Sequence, residues 1–184
     1  MGITEFAPVA GKSGFIKLAS PSTYTVNTGT LTLAGLTNPG QRNQEEWRTY
    51  LNFDTNGGIP NAAVVTKIEL DVEMTSIVKT GTNPTDWRNA FMMGTWIGAA
   101  LDSSDWAGGT EVLDYDWTSP DNPVTSTRDL GATALQYYNN SGDTDVAIWD
   151  SSQFSGTDDW QWGGTESKFK LRVFWYLPQV INMK

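Results

Sequence analysis

The sequence contains no cysteine and no histidine. Without cysteine there is no disulfide framework and no thiolate metal site, so any work outside a cell is done without disulfides. Without histidine the chain lacks the commonest general base, the commonest metal ligand and the usual titrating group between about pH 5 and 8. Ser-His-Asp, Cys-His and His-Glu-x-x-His chemistries are therefore excluded. An enzyme built from this chain would rely on carboxylates, lysine, tyrosine or a cofactor. Basic residues are also few: 12 Lys and Arg stand against 21 Asp and Glu, a formal net charge of −9. That balance argues against partners rich in phosphate, nucleic acid and anionic membrane alike, and favours solubility of separate copies. No apolar run approaches the roughly 18 residues of a membrane-spanning helix. Residues 1–8 have neither the basic nor the apolar segment of a secretion signal.

What the chain does have is apolar residues in 39% of its 184 positions, including nine Trp, which suffices for one core. The clearest pattern is Lys67-Ile68-Glu69-Leu70-Asp71-Val72-Glu73-Met74. A strand sends successive side chains to opposite faces, so Ile68, Leu70, Val72 and Met74 line a dry face and the charged residues a wet one. Phe169, Leu171, Val173 and Trp175 repeat the pattern near the end of the chain. Further strands are expected over Phe15–Leu18, Thr30–Ala34, Glu46–Phe53, Phe91–Ala99 and Asp145–Trp149. In the third of these, Trp47, Thr49, Leu51 and Phe53 share one face and Arg48, Tyr50 and Asn52 the other. Asn56-Gly57-Gly58 marks a sharp reversal. Residues 127–138 predict the single helix, with Leu130, Ala134 and Tyr138 on one face and Thr127 or Asp129 as cap. Residues 101–127 read as long loops with short strand pieces, and 153–166 as a loop. The expectation is an all-β fold, a two-sheet antiparallel β-sandwich of jelly-roll type with one short helix. Residues 1–14 form an N-terminal arm, 15–177 the sandwich and 178–184 a C-terminal tail.

The order of elements resembles the DNRLRE-type β-sandwich domain, a jelly roll similar to carbohydrate-binding modules. Phe15 to Pro21 stands for the family's opening strand and Ser-Pro loop, and Leu31 to Leu36 for its Leu-rich strand. Arg48-Thr49-Tyr50-Leu51-Asn52-Phe53-Asp54 matches its Arg-x-x-Leu-x-Phe-Asp, the most distinctive segment. Leu171 to Tyr176 matches its closing strand. A literal DNRLRE string is lacking, and Thr165-Glu166-Ser167 echoes the family's Ser-Arg-Glu loosely. The resemblance spans residues 15–176. It implies a non-catalytic domain of the kind found in surface, adhesive and virion-attached proteins.

Three constellations could carry chemistry. Asp102, Asp105, Asp114 and Asp116 form an acidic stretch whose carboxylates would suit a structural Ca²⁺; the competing reading is ordinary Asp at turns and caps. Trp106, Trp117, Trp160 and Trp162 fall in expected loops, where indoles serve as sugar platforms, as subunit anchors or as covers for the end of a sandwich. On the last strand, Phe174 and Tyr176 are apolar on the expected wet face, which predicts that something packs there. Glu45-Glu46 and Asp158-Asp159 are adjacent carboxylates, whose side chains point apart on a strand and so do not cooperate as acid and base.

No catalytic residue is assigned. The leading expectation is a non-catalytic structural protein of a phage virion, a capsid decoration (cement) protein or another surface component. Its partners would be capsid or other virion proteins and further copies of itself, as a homo-oligomer such as a trimer. The alternative is a carbohydrate-binding or adhesive module of a larger secreted or cell-surface protein, with a glycan as ligand.

Overall fold

The computed structural model describes residues 1–19, 22–29, 31, 35–37, 45–74, 76–81, 88–116, 124–151, 160–165 and 168–179. Among the described residues thirteen strands form two antiparallel sheets. The smaller sheet has four strands in the order β1 (Gly2–Phe6), β13 (Lys168–Tyr176), β6 (Val64–Met74) and β10 (Val124–Asp129). The spine of the larger sheet runs β3 (Thr23–Thr28), β2 (Gly14–Ala19), β5 (Glu45–Asp54), β11 (Asp143–Asp150), β8 (Arg88–Gly94) and β9 (Thr110–Asp116). A branch of β4 (Gly35–Thr37), β12 (Trp160–Thr165) and β7 (Ser76–Gly81) joins at the first residues of β5. The fold is an all-β, two-sheet antiparallel sandwich.

The alternating strands do what their patterns require. Ile68, Leu70 and Val72 from β6 and Phe169, Leu171 and Val173 from β13 face Leu51, Phe53, Phe91, Met93, Val146 and Ile148 of the larger sheet. All are buried. Their charged neighbours face outward and pair across strands: Lys168 with Glu73 at 3.1 Å, Lys170 with Glu5 at 3.0 Å, Arg172 with Glu69 at 3.0 Å. The pair β7–β12 keeps the register of the pair β6–β13: Glu73 opposes Lys168, and Ser76 opposes Thr165. A bulge near the other end of the β6–β13 pair leaves Thr66 without a ladder partner, since Phe174 opposes Lys67 but Trp175 opposes Val65. The extra residue turns Val65 toward the core and Val64 toward solvent.

Several segments differ from the sequence reading. Residues 1–14, expected as an arm, contribute β1, which pairs with β13 from Gly2 opposite Trp175 to Phe6 opposite Leu171. Phe6 packs on the main core, so this strand is held from inside as well as by its ladder. In the expected helix over 127–138, Thr127 and Arg128 instead pair with Asp71 and Leu70 in β10. Only α1 (Gly131–Ala134) is helical. Gly131 turns the chain at φ +77°, and its N–H is accepted by Asp129 at 2.9 Å. Leu130 and Ala134 are buried in the core and Tyr138 packs against it, as the helical face predicts. The expected strand Thr30–Ala34 falls almost wholly outside the described residues, between β3 and β4. Trp160 and Trp162 lie on β12 rather than in a loop. Of the expected tail 178–184, Pro178 and Gln179 have no regular structure and the rest lies outside the described residues.

Candidate functional site

The centre of the larger sheet's outer face, around β5, is covered. Arg48, Tyr50 and Asn52 point outward from β5, and Tyr50 and Asn52 are nevertheless fully buried. Ile16, Ala90, Met92 and Ala147 surround Tyr50 and form a second hydrophobic core outside the sandwich. Its lid is the chain between β8 and β9, which contributes Ile97, Leu101 and the 3₁₀ turn Ser103–Ala107.

Arg48 fastens that lid. Its guanidinium lies between two indoles, 3.9 Å from the ring centre of Trp106 and 3.8 Å from that of Trp149. It donates to Glu46 at 2.7 Å and to the Trp106 carbonyl at 2.6 Å. The Tyr50 hydroxyl donates to the same carbonyl at 3.0 Å, and burial pushes its pKa well above the usual phenol value. Tyr24 of β3 meets the Trp106 ring edge-on at 5.6 Å. Trp106, expected as an exposed platform, is therefore half-buried and anchors the lid.

A carboxylate holds the lid's other end. Asp145 is fully buried. It accepts from the backbone N–H of Trp96 at 2.7 Å and of Ile97 at 2.8 Å, and from Asn52 Nδ2 at 2.6 Å. Burial raises its pKa despite those donors. Asn52 Nδ2 also donates to Asp143 at 3.1 Å, and Lys12 reaches Asp143 at 2.6 Å. The ammonium beside it holds the Asp143 carboxyl below its usual value. Two neighbouring carboxylates on one strand are thus driven in opposite directions, one by desolvation and one by a cation.

Between the lid and the turn after α1 lies an open cleft of about 560 Å³. Trp96, Tyr137 and Tyr138 line it with Gln136, Asn139 and Thr110. No lining residue carries a charge. Burial raises the Tyr138 hydroxyl to about 12, so it stays protonated. Gly94, Gly108 and Gly109 cradle the Trp96 indole, since a Cβ at these positions would sit 2.8, 2.3 and 2.9 Å from ring atoms. The sequence reading placed Trp96 in a core strand and Tyr138 on a helix. The available signal was the glycines around Trp96, Gly94 before it and Gly108-Gly109 after it.

The other expected site residues scatter. Asp102 and Asp105 form a capping box on the 3₁₀ turn: Asp102 accepts from Ser104 N–H at 2.7 Å, and Asp105 from Asp102 N–H at 2.8 Å. Asp114 accepts from Arg88 at 2.9 Å and Ser151 at 2.6 Å, and Asp116 opposes Arg88 in the β8–β9 ladder. Among the described residues no three acidic side chains gather as ligands for an ion. Trp117 lies outside the described residues, and the side chains of Trp160 and Trp162 do too. Phe174 is half-buried beside Ile3, which opposes it on β1, with Lys67 and Arg172 over its ring at 5.6 and 5.4 Å. Tyr176 remains exposed.

No family model matches the chain, and no curated protein matches its sequence.

Proposed function

We propose that this protein is a non-catalytic structural component of a larger assembly, a decoration or other surface protein of a phage virion. The observation that carries the reading is one corner of the smaller sheet. Among the described residues six large hydrophobics are exposed, and five of them, Met1, Ile3, Val64, Tyr176 and Leu177, meet there. Tyr176 opposes Val64, and Gly2, next to Met1, opposes Trp175. Met1, Ile3, Tyr176 and Val64 therefore lie on neighbouring strands β1, β13 and β6, and Leu177 follows directly after β13. A contiguous apolar patch of this kind marks an interaction surface. It adjoins β1, an edge strand whose outer N–H and C=O groups form no ladder within the described fold. An apolar corner beside an open edge suits a neighbouring subunit that adds a strand or packs on the corner. The resemblance to virion-attached sandwich domains points the same way. A net charge of −9 keeps copies apart until this contact forms.

Native mass by light scattering over a range of concentrations, on the wild type and on Ile3→Lys/Tyr176→Lys, tests the reading. The wild type is expected as a homo-oligomer such as a trimer, and the variant as a folded monomer. A wild-type monomer, or an assembly unchanged by the two lysines, counts against it.

A further inference from the structure

We propose that the cleft beside Trp96 is a binding site for a neutral saccharide, the size of a mono- or disaccharide. The cleft's residues belong to none of the strands that form the apolar corner, so this site stands or falls separately from the assembly reading.

The lining chemistry selects the ligand. Its volume of about 560 Å³ is that of a small-molecule site. Phosphates, carboxylates and ammonium groups would enter without a countercharge, because the lining is wholly uncharged in a chain of net charge −9. A purely apolar ligand would strand the amides and hydroxyls of Gln136, Asn139 and Thr110. Sugars answer both conditions. Their C–H faces pack on aromatic rings such as Trp96, Tyr137 and Tyr138, and their hydroxyls pair with amide and hydroxyl side chains. Among the described residues the side chains of Gln136 and Thr110 make no hydrogen bond within the fold, so their capacity is unspent.

The site is also rigid before any ligand arrives. The Asp145 carboxylate fixes the backbone at Trp96 and Ile97, and three glycines seat the indole. Opposite, the backbone of Asn139 is pinned at both ends: its N–H donates to Thr144 Oγ1 at 3.0 Å, and its carbonyl accepts from Thr55 Oγ1 at 2.6 Å. A site whose walls are set by buried hydrogen bonds loses little order on binding.

The experiment is an NMR titration of the full chain, following the Trp96 indole N–H and, in every variant, the backbone N–H of Asn139, with maltose, cellobiose and diacetylchitobiose, and with glucuronate as the charged comparator. At least one neutral disaccharide is expected to shift the Trp96 signal saturably. Gln136→Ala, an exposed position, is expected to weaken that binding several-fold. Trp96→Phe, which keeps the backbone bond to Asp145, is expected to weaken it about tenfold, equivalent to about 1.4 kcal/mol. Ile3→Lys/Tyr176→Lys is expected to leave it unchanged. The proposal is overturned if no neutral disaccharide moves the Trp96 signal at tens of millimolar. Binding indifferent to both cleft variants, or tighter for glucuronate than for every neutral sugar, also overturns it.

Discussion

The outer faces of the two sheets are opposites. On the smaller sheet, the outward residues of β6 from Lys67 to Glu73 and of β13 from Lys168 to Arg172 alternate with core residues, are charged and pair across strands; the apolar corner lies beyond them. On the larger sheet, outward residues are Ile16, Tyr50, Met92 and Ala147, sealed beneath a lid. The first face obeys the rule for a half-exposed antiparallel sheet. The second needed a cover, and the 95–109 segment supplies it. Polar groups buried under that cover must be satisfied within the protein. Arg48 and Asp145 meet part of this need by tying the lid to β5 and β11, while among the described residues Asn52 Oδ1 and the indole N–H groups of Trp96 and Trp149 are buried without a hydrogen-bond partner. Ion pairs on the first face adjust the surface, whereas polar contacts on the second hold a layer in place.

Deleting the carboxylate at Asp145 should expose this difference most strongly. Asp145→Ala leaves the lid N–H groups of Trp96 and Ile97 without their acceptor and Asn52 Nδ2 with Asp143 alone, a loss of about 3 kcal/mol. Urea unfolding should show it as a lower midpoint with the Trp96 environment altered. A loss below about 1 kcal/mol would mean that the lid is held by its apolar contacts alone. Next in size is Arg48→Ala, which removes a cation from between two indoles and a donor from the Trp106 carbonyl, at about 2 kcal/mol. Arg48→Lys should recover less than half, because an ammonium cannot stack flat between rings. Full recovery by lysine in the same urea titration would assign the effect to charge rather than to stacking.

Titration sharpens the contrast within the second face. The Asp143 pKa is depressed, so its stabilising contribution is complete above the unfolded value near about 3.9 and is lost as pH falls through the folded value. The Asp145 pKa is raised, so the folded state favours the protonated form, and stability declines as pH rises from about 3.9 through the folded value. Melting temperatures of Asp143→Asn and Asp145→Asn between pH 2 and about 6 should therefore diverge in opposite senses. The first should flatten the loss on acidification, and the second the decline on the neutral side. Parallel curves would refute the opposed shifts.

The first face was legible from sequence because one period, two residues, decides everything there. Ile68, Leu70 and Val72 against Glu69, Asp71 and Glu73 admit a single reading. The strand β3 was not legible: Thr-Tyr-Thr-Val-Asn-Thr is almost wholly exposed and has no apolar stripe to detect. β1 was missed for a similar reason, since Gly2-Ile3-Thr4-Glu5-Phe6 places its inward residues on a glycine and a threonine as much as on Phe6. Arg48, Tyr50 and Asn52 were assigned correctly to the face opposite Leu51. Their burial depends on a lid more than forty positions away, which local pattern does not encode. The same is true of the cleft. Trp96 reads as core, and its partners at 136–139 join it only through tertiary packing.

The smallest effect belongs to the first face and completes the comparison. Lys168 pairs with Glu73 at 3.1 Å, but both side chains stay well exposed, 70% and 45%. Water screens such a pair, and ordering two long side chains offsets much of the attraction, so Lys168→Ala should cost at most about 0.5 kcal/mol. Raising salt should erase even that. Arg172 is the informative exception on the same strand: it reaches Glu69 and Glu5 and lies over Phe174. If Arg172→Ala costs no more than Lys168→Ala in the same titration, the outer face of the smaller sheet is a solvated surface throughout. If it costs distinctly more, the row from Glu5 through Arg172 to Glu69 helps fix β1 to the sheet, and with it the apolar corner proposed to meet a neighbour.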